Sequence, residues 1–183
     1  MTKLVVIDDY LQEGDFNRIR RYFEGEDDDG TVDGSCCWQY VPGCVGTDDP
    51  DGHFHFSSLI YSMHHILVPR AFNLLQPILQ QTGVSSLGRI KANCMVQTHE
   101  LKVMKLGFHT DFPRAMTTGI FYINDNDGYT LLEDGTKIHN VANRFAMFPC
   151  ETMHTATTCT TTERRLLINF NFTTYYPPLY EGG

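Results

Sequence analysis

The chain has 183 residues, 42% of them hydrophobic and 20% charged, which is enough to bury a core and too apolar for disorder throughout. Its 22 acidic residues outnumber 14 basic ones, and the formal net charge of -8 disfavours a nucleic-acid-binding surface, because phosphate contacts are made by Lys and Arg. No apolar run is long enough to span a membrane. The opening Met1-Thr-Lys-Leu-Val-Val-Ile7 runs straight into Asp8 and Asp9, unlike a secretory leader, so a cytoplasmic location is expected. The six cysteines form no CxxC pair and are expected to be free thiols rather than a metal cluster at Cys36, Cys37 and Cys44.

In chain order, Leu4–Ile7 reads as a short strand. A helix is predicted over Leu11–Phe23, with Leu11, Phe16, Ile19 and Phe23 on one face. Residues 24–52 are rich in Gly, Asp and Pro and are expected to form a long irregular insertion. Its acidic clusters, 24–30 and 48–51, lack the alternating oxygen ligands and closing Glu of a calcium loop and read as solvated. Ser57–Gln81 is the strongest predicted helical stretch: Leu59, Ile60, Met63, Ile66 and Leu67 form one stripe, a second helix begins at Pro69, and Gly83 ends it. On that reading His53, His55, His64 and His65 are helix-surface or core side chains.

Past Gly83 the texture changes to β-like runs at Ile90–Gln97, Val103–Phe108, Thr117–Ile123, Tyr129–Leu132, Lys137–His139, Arg144–Phe148 and Leu166–Thr173. Asn124–Gly128 and Glu133–Gly135 are turns. Thr157–Thr162 reads as a turn, and the tail from Tyr175 to Tyr180 as extended. The pattern predicts a mostly β chain with packed helices and a double-stranded β-helix (jelly roll) core. The expected organisation is one domain over 1–183, with a helical and irregular part at 1–84 and the jelly roll at 85–175.

The chemistry concentrates at His109-Thr110-Asp111. Alternate residues of a strand point the same way, so His109 and Asp111 can face one metal. His154, just past the Phe148-Pro149 strand end, is the third candidate ligand. Two imidazoles and one carboxylate on one face of an octahedron leave open positions, the arrangement of non-haem Fe(II) oxygenases. Arg165 precedes the last strong strand and offers a permanently charged fork for the far end of a dicarboxylate, with Arg164 as the competing candidate. Neighbours in a strand alternate, so only one of the two can face the pocket. Arg89, Lys91 and Asn93 share a strand face that lines either the pocket mouth or solvent.

The set His109-Thr-Asp111, His154 and Arg165 resembles the HxD…H…R signature of the 2-oxoglutarate/Fe(II) oxygenases, closest to the prolyl 4-hydroxylase-like branch. Thr118-Gly-Ile-Phe-Tyr-Ile-Asn124 with Gly128-Tyr-Thr130 looks like that branch's "YYLN…GGxT" strand pair, with Asp127 standing where the family often has Gly. The run from His154 to Phe172 is similar to small oxygenases encoded by marine bacteriophages, which would place the protein in a host cytoplasm. The resemblance covers about residues 85–175. It implies Fe(II) and O2 as cofactors, and 2-oxoglutarate as a co-substrate oxidised to succinate and CO2 while a C–H bond is hydroxylated, with peptidyl proline as one substrate class. It implies that Tyr122 hydrogen-bonds the distal carboxylate and that Asn169 lies beside it. The expected partners are 2-oxoglutarate and a peptide or small molecule, with no membrane. Two alternatives stay open: a cupin-like metal enzyme that does not use 2-oxoglutarate, and a non-catalytic jelly-roll binding module whose metal is closed by a fourth ligand such as Cys150.

Overall fold

The computed structural model describes residues 3–26, 35–43, 54–104, 107–111 and 115–175. The acidic clusters beyond Glu26, Cys44 and the tail past Tyr175 lie outside the described residues. A strand β1 (Val5–Ile7) opens the chain, followed by helix α1 (Glu13–Glu24). Then come β2 (Gln39–Pro42), β3 (Phe54–Ser62), β4 (His65–Ile66) and two short helices, α2 (Pro69–Leu74) and α3 (Gln76–Thr82). The remaining strands are β5 (Val84–Val96), β6 (Thr117–Tyr122), β7 (Tyr129–Leu132), β8 (Lys137–His139), β9 (Arg144–Pro149), β10 (His154–Ala156) and β11 (Arg164–Thr174).

The strands form two antiparallel layers, the jelly roll expected from the sequence. The major sheet runs β1-β9-β6-β11-β5-β3-β2, with β4 paired to β3, and the minor sheet runs β10-β7-β8. Alternation along β11 divides its residues cleanly. Leu166, Ile168, Phe170 and Phe172 join the large core under the helices, while Arg165, Leu167, Asn169 and Asn171 lie on the other face, between the layers. Helix α1 closes the outer core by burying Phe16, Ile19, Tyr22 and Phe23, each contributing about 1.5–3 kcal/mol of apolar burial. It stops at Gly25, whose φ of 80° is a left-handed cap. A second, smaller cluster of Ile120, Tyr122, Leu132, Ile138, Ala146, Phe148 and Leu167 packs between the two sheets.

Three expectations need correction. The predicted helix over Ser57–Gln81 is a strand, β3, and a β4 hairpin as far as Ile66; helix begins only at Pro69, and it ends before Gly83 as expected. A bulge opposite β5 between Leu59 and Tyr61 breaks the alternation: Ile60 is buried in step with Phe56, and the adjacent Tyr61 packs against the same core. The supposed stripe residues Leu59, Met63, Ile66 and Leu67 are in fact exposed. Residues 24–52, read as irregular, contain β2. Val103–Phe108 forms no continuous strand among its described residues: Val103 bridges Thr157 and His109 bridges His154 as isolated pairs. A short strand at His154–Ala156 went unforeseen because three residues carry no readable period.

Candidate metal centre and its cavity

His109 and His154 come from segments far apart in the chain and meet as an antiparallel pair. Each backbone N–H donates to the other's carbonyl at 3.0 Å, and the rings stand 4.7 Å apart between centroids. Both imidazoles are turned the same way. The Nδ1 of His109 faces the carbonyl of Gly107 at 2.5 Å and that of His154 faces the carbonyl of Thr152 at 3.0 Å, so in each ring Nδ1 carries the proton and the Nε2 lone pair is aimed inward. Asp111 lies between them, with Oδ1 3.8 Å from His109 Nε2 and Oδ2 3.7 Å from His154 Nε2. His154 Nε2 is buried and has no hydrogen-bond partner. A buried nitrogen left without a partner is costly in a finished core, and an electrophile bound between the three groups would satisfy it.

The electrostatics suit a cation. Burial favours the neutral form of His154 and holds its pKa below the ordinary histidine value, although Asp111 pulls the other way. Burial alone would raise Asp111, but His109, His154 and Arg89 outweigh it and keep the carboxyl ionised well below the usual range. For His109 the burial penalty is overcome by Asp111, and its pKa is raised, so a proton and a metal ion compete for its Nε2. Among the described residues, these three make the group whose ligand atoms could converge on one ion, all within 4.8 Å of each other. The donor set, the tautomers and the orphaned nitrogen therefore fit an octahedral metal such as Fe(II).

The centre opens on a cavity of about 220 Å³. Its β5 wall carries Arg89, Lys91, Asn93 and Met95, which settles the face they share as cavity lining rather than solvated surface. Leu167 and Asn169 of β11, Ile120 of β6 and Thr130 of β7 line it too. The side-chain oxygen of Asn169 is buried there without a partner. Arg165 and Arg164 lie on opposite faces of β11. Arg164 reaches the carbonyl of Glu24 on the outer side, whereas Arg165 is fully buried inside. Arg165 does not line the cavity directly. It donates through Nε to Asn140 Oδ1 (2.9 Å), through one terminal nitrogen to the Thr157 carbonyl (3.3 Å), and through the other to Thr130 Oγ1 (3.2 Å). Tyr122 is also wholly buried: its hydroxyl donates to the same Thr130 oxygen at 2.9 Å and its ring lies 5.9 Å from the Arg165 guanidinium carbon. Thr130 thus stands between the cavity and both residues.

Solved structures with this architecture share one theme. A 2OG-Fe(II) oxygenase family oxidoreductase from Burkholderia pseudomallei matches with a TM-score of 0.66 at 14% identity, over 93% of this chain and 85% of its own. The non-heme alpha-ketoglutarate-dependent carbocyclase SnoK from nogalamycin biosynthesis gives 0.59 at 14%, over 100% and 85%. A prolyl hydroxylase from Trichoplax adhaerens, solved with a hypoxia-inducible-factor peptide fragment, gives 0.56 at 11%, over 94% and 84%. The fold is that of the 2OG-Fe(II) oxygenases. No family model matches the sequence, and a search of curated proteins returns no match.

Sequence reasoning missed several residues of this oxygenase-fold cavity. His55 lines it from β3, buried, with Nδ1 2.9 Å from the Gly43 carbonyl; no strand was expected at this position. Thr118 and Asn171 touch Asp111 directly. Asn171 was findable, since it lies two residues beyond Asn169 on the same face of β11.

Proposed function

We propose that the chain is a non-haem Fe(II) oxygenase that couples decarboxylation of 2-oxoglutarate, giving succinate and CO2, to hydroxylation of a C–H bond. The reading rests above all on the buried, unpartnered Nε2 of His154, aimed with His109 and Asp111 at a single point on the cavity floor. His109, Asp111 and His154 would hold the iron. Bound there, Fe(II) supplies open positions for a chelating 2-oxo acid and the capacity to activate O2. The protein's own part is to orient and to exclude water. Arg165 provides a fixed positive charge behind Thr130, and Thr130, buttressed by the Tyr122 hydroxyl, would receive the far carboxylate. Asn169 offers an amide beside that path. Strands from both the N-terminal part and the 85–175 region share one sheet, which supports reading the chain as one oxygenase domain.

A closed structural metal site finds no support. The Cys150 thiol sits behind Asp111, within hydrogen-bond reach of Thr118 (3.2 Å) and Asn171 (3.5 Å), and burial pushes its pKa up, away from the thiolate that a metal would need. A cupin-like enzyme without 2-oxoglutarate is less favoured, because Arg165 lies on the inner face of β11 beside Thr130 of the cavity wall. For the primary substrate, peptidyl proline is the first class to try, followed by small molecules.

Anaerobic addition of Fe(II) and then 2-oxoglutarate should produce a weak visible charge-transfer band that His154→Ala abolishes. In air, succinate should form from 2-oxoglutarate, faster with a substrate peptide. Absence of the band in the unaltered protein, or its survival at full strength in both His109→Ala and His154→Ala, would refute the reading.

A further inference from the structure

We propose that Arg89 is a positioning residue for the metal centre, holding the Asp111 carboxylate turned toward the two imidazoles. The proposal rests on the iron-site reading above. Among the described residues of its segment the β-bridge is at His109, and Asp111 itself lies in a bend, so its side chain is not fixed by a strand ladder at its own position. Yet that side chain is only 1% exposed, and beside the two imidazoles it is met, among the described residues, by three hydrogen-bond donors from strands of the major sheet. Arg89 NH2 donates to Oδ1 at 2.7 Å. Thr118 Oγ1 and Asn171 Nδ2 donate to Oδ2 at 3.0 and 3.3 Å. Arg89 Nε donates in turn to Asn171 Oδ1 at 3.0 Å, closing a ring of three hydrogen bonds through Arg89, Asp111 and Asn171.

The ring has a structural origin. Arg89 pairs with Asn171 across β5 and β11, and Asn171 pairs with Thr118 across β11 and β6. Directly paired residues share a face at close range, so these three side chains form one row across three adjoining strands. A ligand carried on an irregular segment is thereby clamped by the stiffest part of the molecule. The guanidinium suits the task because its planar fork places two donors at a fixed angle, one for the amide and one for the carboxylate.

Charge and geometry pull metal affinity in opposite directions here, which makes the proposal decisive. A cation beside a ligand repels a divalent ion, so if Arg89 were merely a counter-charge its removal would tighten binding. If Arg89 positions Asp111, its removal loosens binding, and losses of about 10–100-fold are typical when an outer-shell partner of a ligand is removed.

The test is anaerobic titration with Co(II), whose visible spectrum reports its coordination. Arg89→Met should weaken Co(II) binding at least about tenfold and change the spectrum of the bound ion. Asn171→Ala, which breaks the ring without removing a charge, should weaken it in the same direction, and it decides the matter should Arg89→Met fail to fold. Arg89→Lys, keeping charge without the fork, should fall between wild type and Arg89→Met. Wild-type or tighter affinity with an unchanged spectrum in the folded variants would overturn the positioning role while leaving the metal site standing. Failure of the unaltered protein to take up Co(II) would overturn both.

Discussion

Gly128 sets how closely β7 can pass the guanidinium that the proposed function needs. A Cβ built at this position would lie 2.6 Å from Arg165 Cδ, 2.8 Å from the Thr158 carbonyl oxygen and 2.9 Å from Asn126 Oδ1. One of those neighbours is backbone. Arg165 cannot swing away cheaply either, because its three nitrogens are engaged by Asn140, Thr157 and Thr130. Gly128→Ala is thus an overpacking change in a tight site, expected to cost about 1–3 kcal/mol. For a chain of this size each kcal/mol lowers the melting midpoint by roughly 2–4 °C, so a fall of about 2–12 °C is expected. Displacing Arg165 should also weaken 2-oxoglutarate binding roughly tenfold, equivalent to about 1.4 kcal/mol. Gly135→Ala is the control. Gly135 has open space around it but a φ of 87°, so alanine there is strained by its backbone alone, at roughly 1–2 kcal/mol, with no path to Arg165. The assays are thermal unfolding of the apoprotein and an anaerobic 2-oxoglutarate titration of the metal-loaded protein. Both variants should melt earlier, and only Gly128→Ala should lose co-substrate affinity. Unchanged affinity in Gly128→Ala, or equal losses in the two, would refute the link from β7 through Arg165 to the co-substrate.

Arg165→Ala should weaken 2-oxoglutarate binding by roughly 2–5 kcal/mol, well over tenfold, because its charge is shielded from water, whereas Arg164→Ala on the outer face should cost about 1 kcal/mol or less. The same titration checks both, and a larger loss in Arg164→Ala would reverse the assignment. Asp127 should set an acid limit to stability. Partial burial raises its pKa, but the hydrogen bonds from Thr160 and Thr161 outweigh that and leave it below the ordinary aspartate value. A depressed folded-state pKa stabilises the protein above the unfolded aspartate pKa, near 4, and the contribution fades as pH falls through the folded value. Urea midpoints measured from pH 6 downwards should therefore drop less steeply in Asp127→Asn than in the wild type.

Much of the site was legible in one dimension because ligand chemistry is local. His109 and Asp111 do bring ligand atoms together, but through an isolated bridge and a bend rather than by strand alternation; the Arg164–Arg165 pair does split across a strand, with Arg164 outside and Arg165 inside. The β-runs over Tyr129–Leu132 and Lys137–His139 appear at their expected bounds because clear turns flank them. The reading failed where local pattern and tertiary pairing disagree. Exposed Leu59, Met63, Ile66 and Leu67 fall at a helix-like spacing around the buried Ile60, and the bulge opposite β5 adds Tyr61 to the core side, so Ser57–Gln81 imitated a helix.

The sequence by itself determined which groups could bind a metal, which face of β11 is apolar, and that the chain past Gly83 is built of strands. The tertiary structure alone decided which strands oppose one another. That pairing joins His109 to His154 through reciprocal backbone hydrogen bonds and aligns Arg89, Asn171 and Thr118 in one row under Asp111. It also inserts Thr130 between Arg165 and the cavity. The physical reason is that periodicity reports which side of its own strand a residue occupies. The register between strands distant in sequence is chosen by the burial and hydrogen bonding of the whole sheet, and no single segment carries that information.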